Sequence, residues 1–417
     1  MISFTQQTSF FGKTNPQELS EKYGTPLYVY NEKILRNRMQ RMAHLISYPG
    51  FTANYSIKTN SNLTILKMAL EEELNADAMS PGEIFLLLKA GFPKERIFYV
   101  SNNVSKEELK FAIDHGVVIS LDSLSQLELF GTINRGGRCA VRLNPGYGAG
   151  HHEKVITAGK KTKFAISESD VPEIFRIAEK YDLKIIGINQ HIGSLFMDGT
   201  PFMQAVEQFL KIAMQFKNLE FVDFGGGFGI PYHKLSGELE FDLKSFGESL
   251  EKVVEEWSDH YGKKLVFKSE PGRYIAAEGG VLLGTVYAKK NNSGIKYIGT
   301  DVGMNVLIRP AMYNSWHDIE VFRNGKPVDE SEGIEKVTVV GNICESGDIL
   351  AKERELPPIH ESDILCVLDA GAYGYSMSSN YNNRLKPAEV LIGLHGEPRL
   401  IRRRDTLEDL MRSFPKE

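Results

Sequence analysis

The sequence predicts an α/β fold, a (β/α)8 TIM-like barrel, joined to a second, all-β domain of β-barrel-like character. Two observations predict it. Between residues 31 and 275, eight short apolar runs alternate with amphipathic stretches. After Ile275 the pattern changes to strand-like alternation broken by turn residues. We therefore assign 31–275 to the barrel, and 1–30 together with 276–417 to the β domain.

The first predicted elements precede the first barrel strand. Asn15 followed by Pro16 is typical of a helix start. The run 27–30 is rich in aromatic and β-branched residues and predicts a strand. From 32 to about 46, apolar residues recur at helical spacing opposite arginines and lysines, which predicts an amphipathic helix.

Eight apolar runs predict the barrel strands, and a helical pattern separates each of them from the next. The strands are 53–57, 75–79, 97–100, 118–121, 140–143, 185–190, 221–224 and 265–269. The helices are 63–72, 81–90, 105–115, 123–130, 171–180, 202–216 and 246–261. Eight such strands within about 245 residues fit a closed barrel better than an open, doubly wound sheet.

Short strand-like runs separated by turn residues predict the β domain. They are 280–286, 297–299, 319–322, 335–340, 364–368 and 389–392.

Polar residues stand at the carboxyl ends of the predicted barrel strands or just after them, where such barrels place their chemistry. They are Lys58, Asp77, Ser80, Asn102, Asp122, Arg142, His191, Gly225 to Gly227 and Glu270. Ordinary loop residues would not concentrate an amine, carboxylates, an imidazole and a guanidinium on one rim. The sequence therefore predicts an active site there.

Composition excludes several classes of protein. The net charge of −5 gives no sign of a nucleic-acid or membrane partner. Three cysteines, Cys139, Cys344 and Cys366, suit neither a disulfide framework nor a zinc site, so we expect no metal and a reducing compartment. With no apolar run of membrane-spanning length and no leader-like start, we expect a cytoplasmic protein.

Lys58 follows a short apolar run and precedes turn-forming residues. A lone lysine at a strand end is most often solvated. Desolvation at such a place lowers an amine's pKa, however, and a partly neutral amine forms Schiff bases. The rest of the rim decides between the two interpretations.

Two glycine loops follow the last two predicted strands. Gly225-Gly226-Gly227 follows one strand, and Glu270-Pro271-Gly272-Arg273 follows the other. Glycines let backbone N–H groups approach a phosphate closely, and this barrel class often binds phosphate after strands seven and eight. The two loops together predict a phosphorylated ligand.

A Schiff-base lysine beside a phosphate cradle indicates pyridoxal 5'-phosphate. Glu270 is the candidate partner of the pyridine nitrogen, which would keep the ring protonated and suit loss of CO₂. His191 would pack against the ring, and Ser194 would lie near the phosphate. The alternative interpretation of Glu270 is a capping carboxylate beside Arg273, which its neighbouring motifs make the less favoured one. Taken alone, His191 is more typical of a satisfied core histidine.

These segments, in this order, resemble the fold-type III pyridoxal-phosphate decarboxylases. The motifs are Tyr55 to Asn60, His191 to Ser194, Gly225 to Gly227, Glu270 to Arg273, Cys344 to Asp348 and Asp369 to Tyr373. Further segments are similar to those of the diaminopimelate decarboxylases within that family. They are Asn144 to Gly146, Gly150 to His152, Lys163-Phe164, Arg309 to Tyr313 and Ser379 to Asn382.

The resemblance implies decarboxylation of meso-2,6-diaminopimelate to L-lysine and CO₂, the last step of lysine biosynthesis. It implies Lys58, Cys344, Glu270 and His191 as catalytic residues, with Cys344 reprotonating the substrate carbon. The implied cofactor ligands are Lys58, Asp77, Arg142, His191, Ser194, Gly227, Glu270, Gly272, Arg273 and Tyr373. The implied substrate ligands are Arg273, Arg309, Tyr313, Glu345 and Tyr373.

The resemblance also implies a homodimer with shared active sites, because Cys344 and Glu345 enter the neighbouring subunit's site in this family. The alternatives are a related decarboxylase acting on carboxynorspermidine or arginine, and a non-catalytic pyridoxal-phosphate-binding protein. A racemase of similar barrel usually places an arginine near the pyridine nitrogen, which Glu270 opposes.

Overall fold

The computed structural model describes residues 3–146 and 162–415. The chain forms two compact units. The barrel unit comprises Arg38–Ile230 and Glu240–Ile275, and the β unit comprises the chain up to Asn37, Pro231–Leu239 and the chain from Ala276. The domain limits drawn from the sequence stay a prediction. The segment 150–152, one of those that carry the family resemblance, lies outside the described residues.

The chain opens with short elements of the β unit. They are α1 Phe4–Gln7, α2 Pro16–Tyr23 and β1 Leu27–Asn31, followed by α3 Glu32–Ala43, which leads into the barrel unit. Asn15 caps helix α2, because its side chain accepts a hydrogen bond from the backbone N–H of Glu18 over 3.0 Å.

Parallel strands build the barrel unit. They are β2 Phe51–Ser56, β3 Asn75–Ala78, β4 Ile97–Val100, β5 Val118–Leu121, β6 Arg138–Asn144, β7 Ile166–Ser167, β8 Lys184–Asn189, β9 Phe221–Asp223 and β10 Val266–Ser269. All except the two-residue β7, which adds to β6, form a closed barrel in chain order, with β10 pairing back onto β2. The predicted eight-stranded barrel is therefore confirmed.

Helices follow the barrel strands as the apolar periodicity predicts. They are α4 Leu63–Glu71, α5 Pro81–Ala90, α6 Lys106–Asp114, α7 Leu124–Ile133, α8 Val171–Tyr181, α9 Thr200–Ala213 and α10 Leu243–Tyr261, with α11 Arg273–Ala276 leading out of the barrel. The hydroxyls of Ser80, Ser105 and Ser123 cap α5, α6 and α7, each accepting from the backbone N–H three residues on.

A mostly antiparallel, curled sheet builds the β unit. Its remaining strands are β11 Gly280–Asn292, β12 Ile295–Thr300, β13 Ile319–Arg323, β14 Lys326–Pro327, β15 Glu335–Val340, β16 Ile349–Leu356, β17 Ile364–Val367, β18 Ala388–Ile392 and β19 Pro398–Arg402. Its later helices are α12 Arg309–Tyr313 and α13 Leu407–Met411. The prediction of a second, all-β domain is confirmed in its architecture.

The β unit is organised around its first strand. The sheet order is β14-β13-β17-β11-β1-β18-β19, and β12, β15 and β16 extend it from β11. Leu27 of β1 lies opposite Leu283 of β11 on one side and Ala388 of β18 on the other. Buried Val29 and Cys366 belong to the core packed on this part of the sheet. Cys366 is therefore a core thiol.

Within the described ranges, none of the helices combines the length and the apolar character that crossing a membrane requires.

Candidate active site

Lys58 lies in a 3-10 turn, Ile57–Thr59, that directly follows β2. The Thr59 hydroxyl donates a hydrogen bond to the carbonyl oxygen of Ser56 over 2.7 Å and lies 3.2 Å from the phenol oxygen of Tyr55. Because Tyr55 and Thr59 are fully buried, these contacts fix the turn. The half-buried Lys58 side chain therefore leaves the strand at a defined point on the carboxyl end of the barrel.

The Lys58 turn is joined to the loop that follows β10. The backbone N–H of Ser56 donates to the carbonyl oxygen of Pro271 over 3.1 Å. A Cβ atom on Gly272 would lie 2.4 Å from Cγ2 of Thr59, closer than carbon atoms can approach. Position 272 therefore needs glycine for close packing of the two segments.

The loop after β10 is joined in turn to the glycine loop after β9. The backbone N–H of Glu270 donates to the carbonyl oxygen of Gly225 over 2.9 Å. A Cβ atom on Gly226 would lie 2.0 Å from the carbonyl oxygen of Glu270. Gly227 has φ +119°, and a Cβ atom there would lie 2.3 Å from the Phe196 ring. Glycine is required at 227 on both counts.

His191 contacts the glycine loop directly. Its Nδ1 accepts a hydrogen bond from the backbone N–H of Gly226 over 3.2 Å, which leaves any ring proton on Nε2. Burial, and then the charges of Lys58 and Arg142, hold the pKa of His191 well below its usual value. His191 is therefore a neutral imidazole, suited to packing against a planar ring.

Ser194 and Arg273 meet beside these loops. The Ser194 hydroxyl lies 3.0 Å from Nη2 and 3.3 Å from Nε of Arg273 and accepts from this guanidinium. Arg273 is buried at the start of α11. The structure thus brings together a hydroxyl, a guanidinium and the backbone of both glycine loops, which are the groups that phosphate prefers.

Glu270 is buried with its carboxyl only partly satisfied. Its Oε1 finds no hydrogen-bond partner among the described residues. Burial, and then the nearby Asp223, raise the pKa of Glu270 to about 8, while Lys58 and Arg142 act in the opposite direction. A carboxyl in this state suits a ligand that brings its own hydrogen-bond donor to the site.

Asp77 and Arg142 complete the predicted group inside the barrel. Oδ1 of Asp77 accepts from the Ser56 hydroxyl over 2.7 Å, and its Oδ2 has no partner within the described chain. Burial, and then Glu270, raise the pKa of Asp77 well above its usual value, while Lys58 lowers it. Arg142 is buried on β6, where Glu270 and Asp122 oppose the lowering of its pKa by burial.

Asp223 and Lys268 are neighbours of this group that the sequence did not single out. They lie opposite each other on β9 and β10. Oδ1 of Asp223 accepts from the backbone N–H of Gly225 over 2.8 Å, so Asp223 holds the base of the glycine loop. Burial raises the pKa of Asp223 to about 7. Both lie within strands, where a charged residue gives no local signal of the loop that it contacts.

The remaining predicted residues lie in the β unit. Arg309 is buried at the start of α12, Tyr313 ends α12, and Tyr373 is half-buried with φ +57°. The guanidinium carbon of Arg309 lies 5.9 Å from the centre of the Tyr373 ring. The structure thus places Arg309 and Tyr373 side by side.

Cys344 and Glu345 form an exposed pair in the β unit. The backbone N–H of Cys344 donates to Oδ1 of Asn382 over 2.9 Å, and the Tyr381 hydroxyl donates to Glu345. Two segments that carry the family resemblance, 344–348 and 379–382, therefore hold each other in place.

The barrel residues described above form one group, which fits pyridoxal phosphate on three counts. This barrel group comprises the two glycine loops and Lys58, Asp77, Arg142, His191, Ser194, Glu270 and Arg273. It has an amine in a fixed turn, two loops that admit no side chain at the positions of closest approach, and a buried carboxyl with an unpartnered oxygen. Among residues 3–146 and 162–415, no cluster of three or more histidine, cysteine, aspartate or glutamate side chains is arranged to hold a metal.

Comparison with known proteins identifies the family. Residues 32–277 match the family described as pyridoxal-dependent decarboxylase, pyridoxal binding domain. The chain is 43% identical over 410 residues to a diaminopimelate decarboxylase of Methanothermobacter thermautotrophicus, covering 96% of this chain and 94% of the relative. It is 35% identical to one of Thermoplasma acidophilum, covering 94% of each.

A solved structure agrees with these relatives. The diaminopimelate decarboxylase of Helicobacter pylori complexed with L-lysine superimposes with a TM-score of 0.87 at 32% identity, covering 95% of this chain and 98% of that one. The chain belongs to the diaminopimelate decarboxylases, within the pyridoxal-dependent decarboxylase family.

Proposed function

We propose that the barrel group described above is the site at which this chain decarboxylates meso-2,6-diaminopimelate to L-lysine and CO₂ with pyridoxal 5'-phosphate. The observation that carries the proposal is a continuous set of backbone contacts. It joins the Lys58 turn to the Glu270 loop and the Glu270 loop to the glycine loop at Gly225. An amine, an acid and a phosphate cradle are thereby held in fixed relation.

Pyridoxal phosphate, when bound, supplies an electron sink for the electron pair that remains on the substrate carbon after CO₂ leaves. Lys58 holds the cofactor covalently through Nζ. Glu270 would keep the pyridine nitrogen protonated through Oε1, with Asp223, Lys58 and Arg142 as the neighbours whose charges act on the pKa of Glu270. Asp77 lies beside them as a further cofactor ligand. His191, being neutral, packs on the ring without opposing that charge.

The phosphate is held by the backbone of Gly227, Gly272 and Arg273, together with the Ser194 hydroxyl. Tyr373 is carried over from the family as a further phosphate and substrate ligand.

Substrate recognition is proposed for Arg273, Arg309, Tyr313, Glu345 and Tyr373. The arginines offer planar, bidentate binding of a carboxylate, which suits a substrate with a carboxylate at each end. Glu345 takes the distal ammonium. The Cys344 thiol delivers a proton from Sγ to the carbon that has lost CO₂.

A homodimer with shared active sites is part of the proposal. Its support is the exposure of Cys344 and Glu345, whose backbone and side chain are nonetheless held by Asn382 and Tyr381. An exposed pair whose conformation is fixed is suited to contribute to the active site of a second copy of the chain.

Release of CO₂ from a panel of substrates tests the proposed function. The purified protein with pyridoxal phosphate is given meso-diaminopimelate, arginine, ornithine and carboxynorspermidine in separate reactions. CO₂ and L-lysine in equal amounts from the first substrate are expected. A protein that turns over another member of the panel and not the first would contradict the proposal.

A further inference from the structure

We propose that the excursion Pro231–Leu239 is a positioning element for substrate recognition. Tyr232 orients the guanidinium of Arg309, and Lys234 anchors the excursion to the turn that ends at Tyr373. This role rests on the proposed function, in which Arg309 and Tyr373 contact the substrate.

The excursion interrupts the barrel between β9 and α10. The chain leaves the barrel unit after Ile230 and returns to it at Glu240, and the nine residues between fold with the β unit. The backbone N–H of Leu235 donates to Oδ2 of Asp318 over 2.9 Å. A connection that only joined a strand to the next helix would have no need of such bonds.

Tyr232 packs against Arg309. The guanidinium carbon of Arg309 lies 5.3 Å from the centre of the Tyr232 ring and 5.9 Å from that of Tyr373. Its Nη2 donates to the Ser315 hydroxyl over 3.2 Å. Both Tyr232 and Arg309 are buried, with 5% and 2% of their surface exposed. Aromatic faces attract a guanidinium and restrict its orientation, and desolvation strengthens the attraction.

Lys234 anchors the excursion two residues further on. Its Nζ lies 2.6 Å from Oδ1 of Asp369 and 2.8 Å from Oε1 of Glu278, and it sits 4.3 Å above the Phe4 ring. Burial alone would lower the pKa of Lys234, but Asp369 and Glu278 raise it above its usual value. Lys234 is therefore a buried cation whose place is fixed by two carboxylates.

Asp369 opens the turn that carries Tyr373. Both residues have left-handed backbone conformations, with φ of +58° and +57°. Residues other than glycine adopt such backbone conformations only where the surrounding structure enforces them. Lys234 supplies one constraint at the start of the turn, and the Arg309 contact is another at its end. One short excursion thus touches Arg309 through Tyr232 and the Tyr373 turn through Lys234.

An aromatic side chain at position 232 and an aliphatic one of similar volume differ in their effect on the orientation of the Arg309 guanidinium. Any side chain of similar volume fills the space beside His317, whose ring centre lies 5.3 Å from that of Tyr232. Only an aromatic face attracts the guanidinium. Orientation of Arg309 affects substrate binding, so its loss raises KM with little change in kcat.

The test compares Tyr232→Met with Tyr232→Phe in the cofactor-loaded enzyme. Tyr232→Met is expected to raise KM for meso-diaminopimelate roughly threefold to thirtyfold, the range of a desolvated cation–aromatic contact. Its kcat and the visible absorbance of the bound cofactor stay as in the natural protein. Tyr232→Phe keeps the ring and restores the natural KM. Tyr287→Met is the matched control, since Tyr287 is 65% exposed in the same unit.

A second variant keeps the test decisive if Tyr232→Met does not fold. Asp369→Asn removes one of the two carboxylates that hold Lys234. Burial raises the pKa of Asp369 to about 7, so a neutral amide is tolerated there. Its KM is expected to rise by about threefold or more, because the charge-assisted contact that pins the Tyr373 turn is weakened.

Three results would overturn the proposed role. They are a natural KM in folded Tyr232→Met, equal effects of Met and Phe at position 232, and, where Tyr232→Met is unfolded, a natural KM in Asp369→Asn. Absence of CO₂ release by the unsubstituted protein would instead contradict the proposed function, so the two failures are distinguishable.

Discussion

The backbone N–H of Glu270 donates to the carbonyl oxygen of Gly225 over 2.9 Å, which makes the acid and the glycine loop one structural element. The two residues follow neighbouring strands, β10 and β9, and the bond continues the parallel pairing of these strands beyond their ends. A change in one loop therefore displaces the other.

Gly226→Ala is expected to disturb both loops. The added Cβ would lie 2.0 Å from the carbonyl oxygen of Glu270, a backbone atom that cannot rotate away. We expect weaker binding of pyridoxal phosphate and a free energy of unfolding lower by about 1–3 kcal/mol. Cofactor titration and thermal unfolding measure the two effects. Gly82→Ala is the control, because a Cβ there meets only ordinary contact at 3.7 Å, and equal behaviour of the two variants would contradict the prediction.

Lys58→Ala is expected to abolish covalent attachment of the cofactor and reduce CO₂ release to background. The physical reason is that the turn Ile57–Thr59 presents this amine at the carboxyl end of the barrel. The visible absorbance of the purified, cofactor-loaded protein reports attachment. Lys67→Ala, an exposed lysine on the next helix, should leave the absorbance unchanged. Retained absorbance in Lys58→Ala would show that another amine holds the cofactor.

Glu270→Gln is expected to change how stability depends on pH in the cofactor-free protein. The pKa of Glu270 is raised to about 8, above the roughly 4.3 of an unfolded glutamate. The folded chain therefore keeps a proton that the unfolded chain releases, and this contribution to stability is lost as pH rises through that window. Glutamine removes that loss.

Urea unfolding at about pH 5 and pH 8 measures the difference, since both values fall within the window of the raised pKa. A pH dependence as steep in Glu270→Gln as in the natural protein would rule out a raised pKa at this residue. In the loaded enzyme, the same variant should release CO₂ more slowly, because a neutral amide does not keep the pyridine nitrogen protonated.

Cys344→Ala is expected to slow formation of L-lysine by about 10²- to 10⁴-fold, the usual contribution of a positioned proton donor. Cofactor absorbance should stay unchanged, because the thiol is proposed to act on the substrate carbon alone. Cys139→Ala is the matched control, since Cys139 is a buried thiol of the barrel unit. A natural rate in Cys344→Ala would remove its role as proton donor.

Lys234→Met is expected to lower the free energy of unfolding by about 3–5 kcal/mol, because it leaves two buried carboxylates without their cation. The loss should be smaller in acid, where Asp369 takes up a proton. Chemical unfolding at two pH values measures both effects. Lys89→Met, on the exposed face of α5, is the control and should change stability little.

The barrel was predictable because its strands and helices have strong local patterns. The runs 97–100 and 118–121 coincide with β4 and β5, and the predicted 53–57 is shifted only slightly from Phe51–Ser56. Strand β16, Ile349–Leu356, was missed because Lys352 to Glu355 is a run of charged residues. Its strand conformation comes from pairing with β15, which local sequence does not reveal.

The barrel part of the candidate site was predictable because parallel strands bring their carboxyl ends to one rim. Lys58, Glu270 and the glycine loops each stand at such an end. Lys234 and Tyr232 were missed because their significance depends on Asp369 and Arg309, more than 70 residues away in the chain. An isolated lysine and tyrosine after a glycine run carry no local signal of those partners.

Strand β1 has a consequence for how the chain folds during synthesis. Both of its neighbours, β11 and β18, are made long after it, since Leu27 pairs with Leu283 and Ala388. The whole barrel sequence is therefore synthesised before β11 or β18 is available to pair with β1. A chain that stops short of residue 388 leaves one edge of this strand open, with backbone groups free to pair with another molecule.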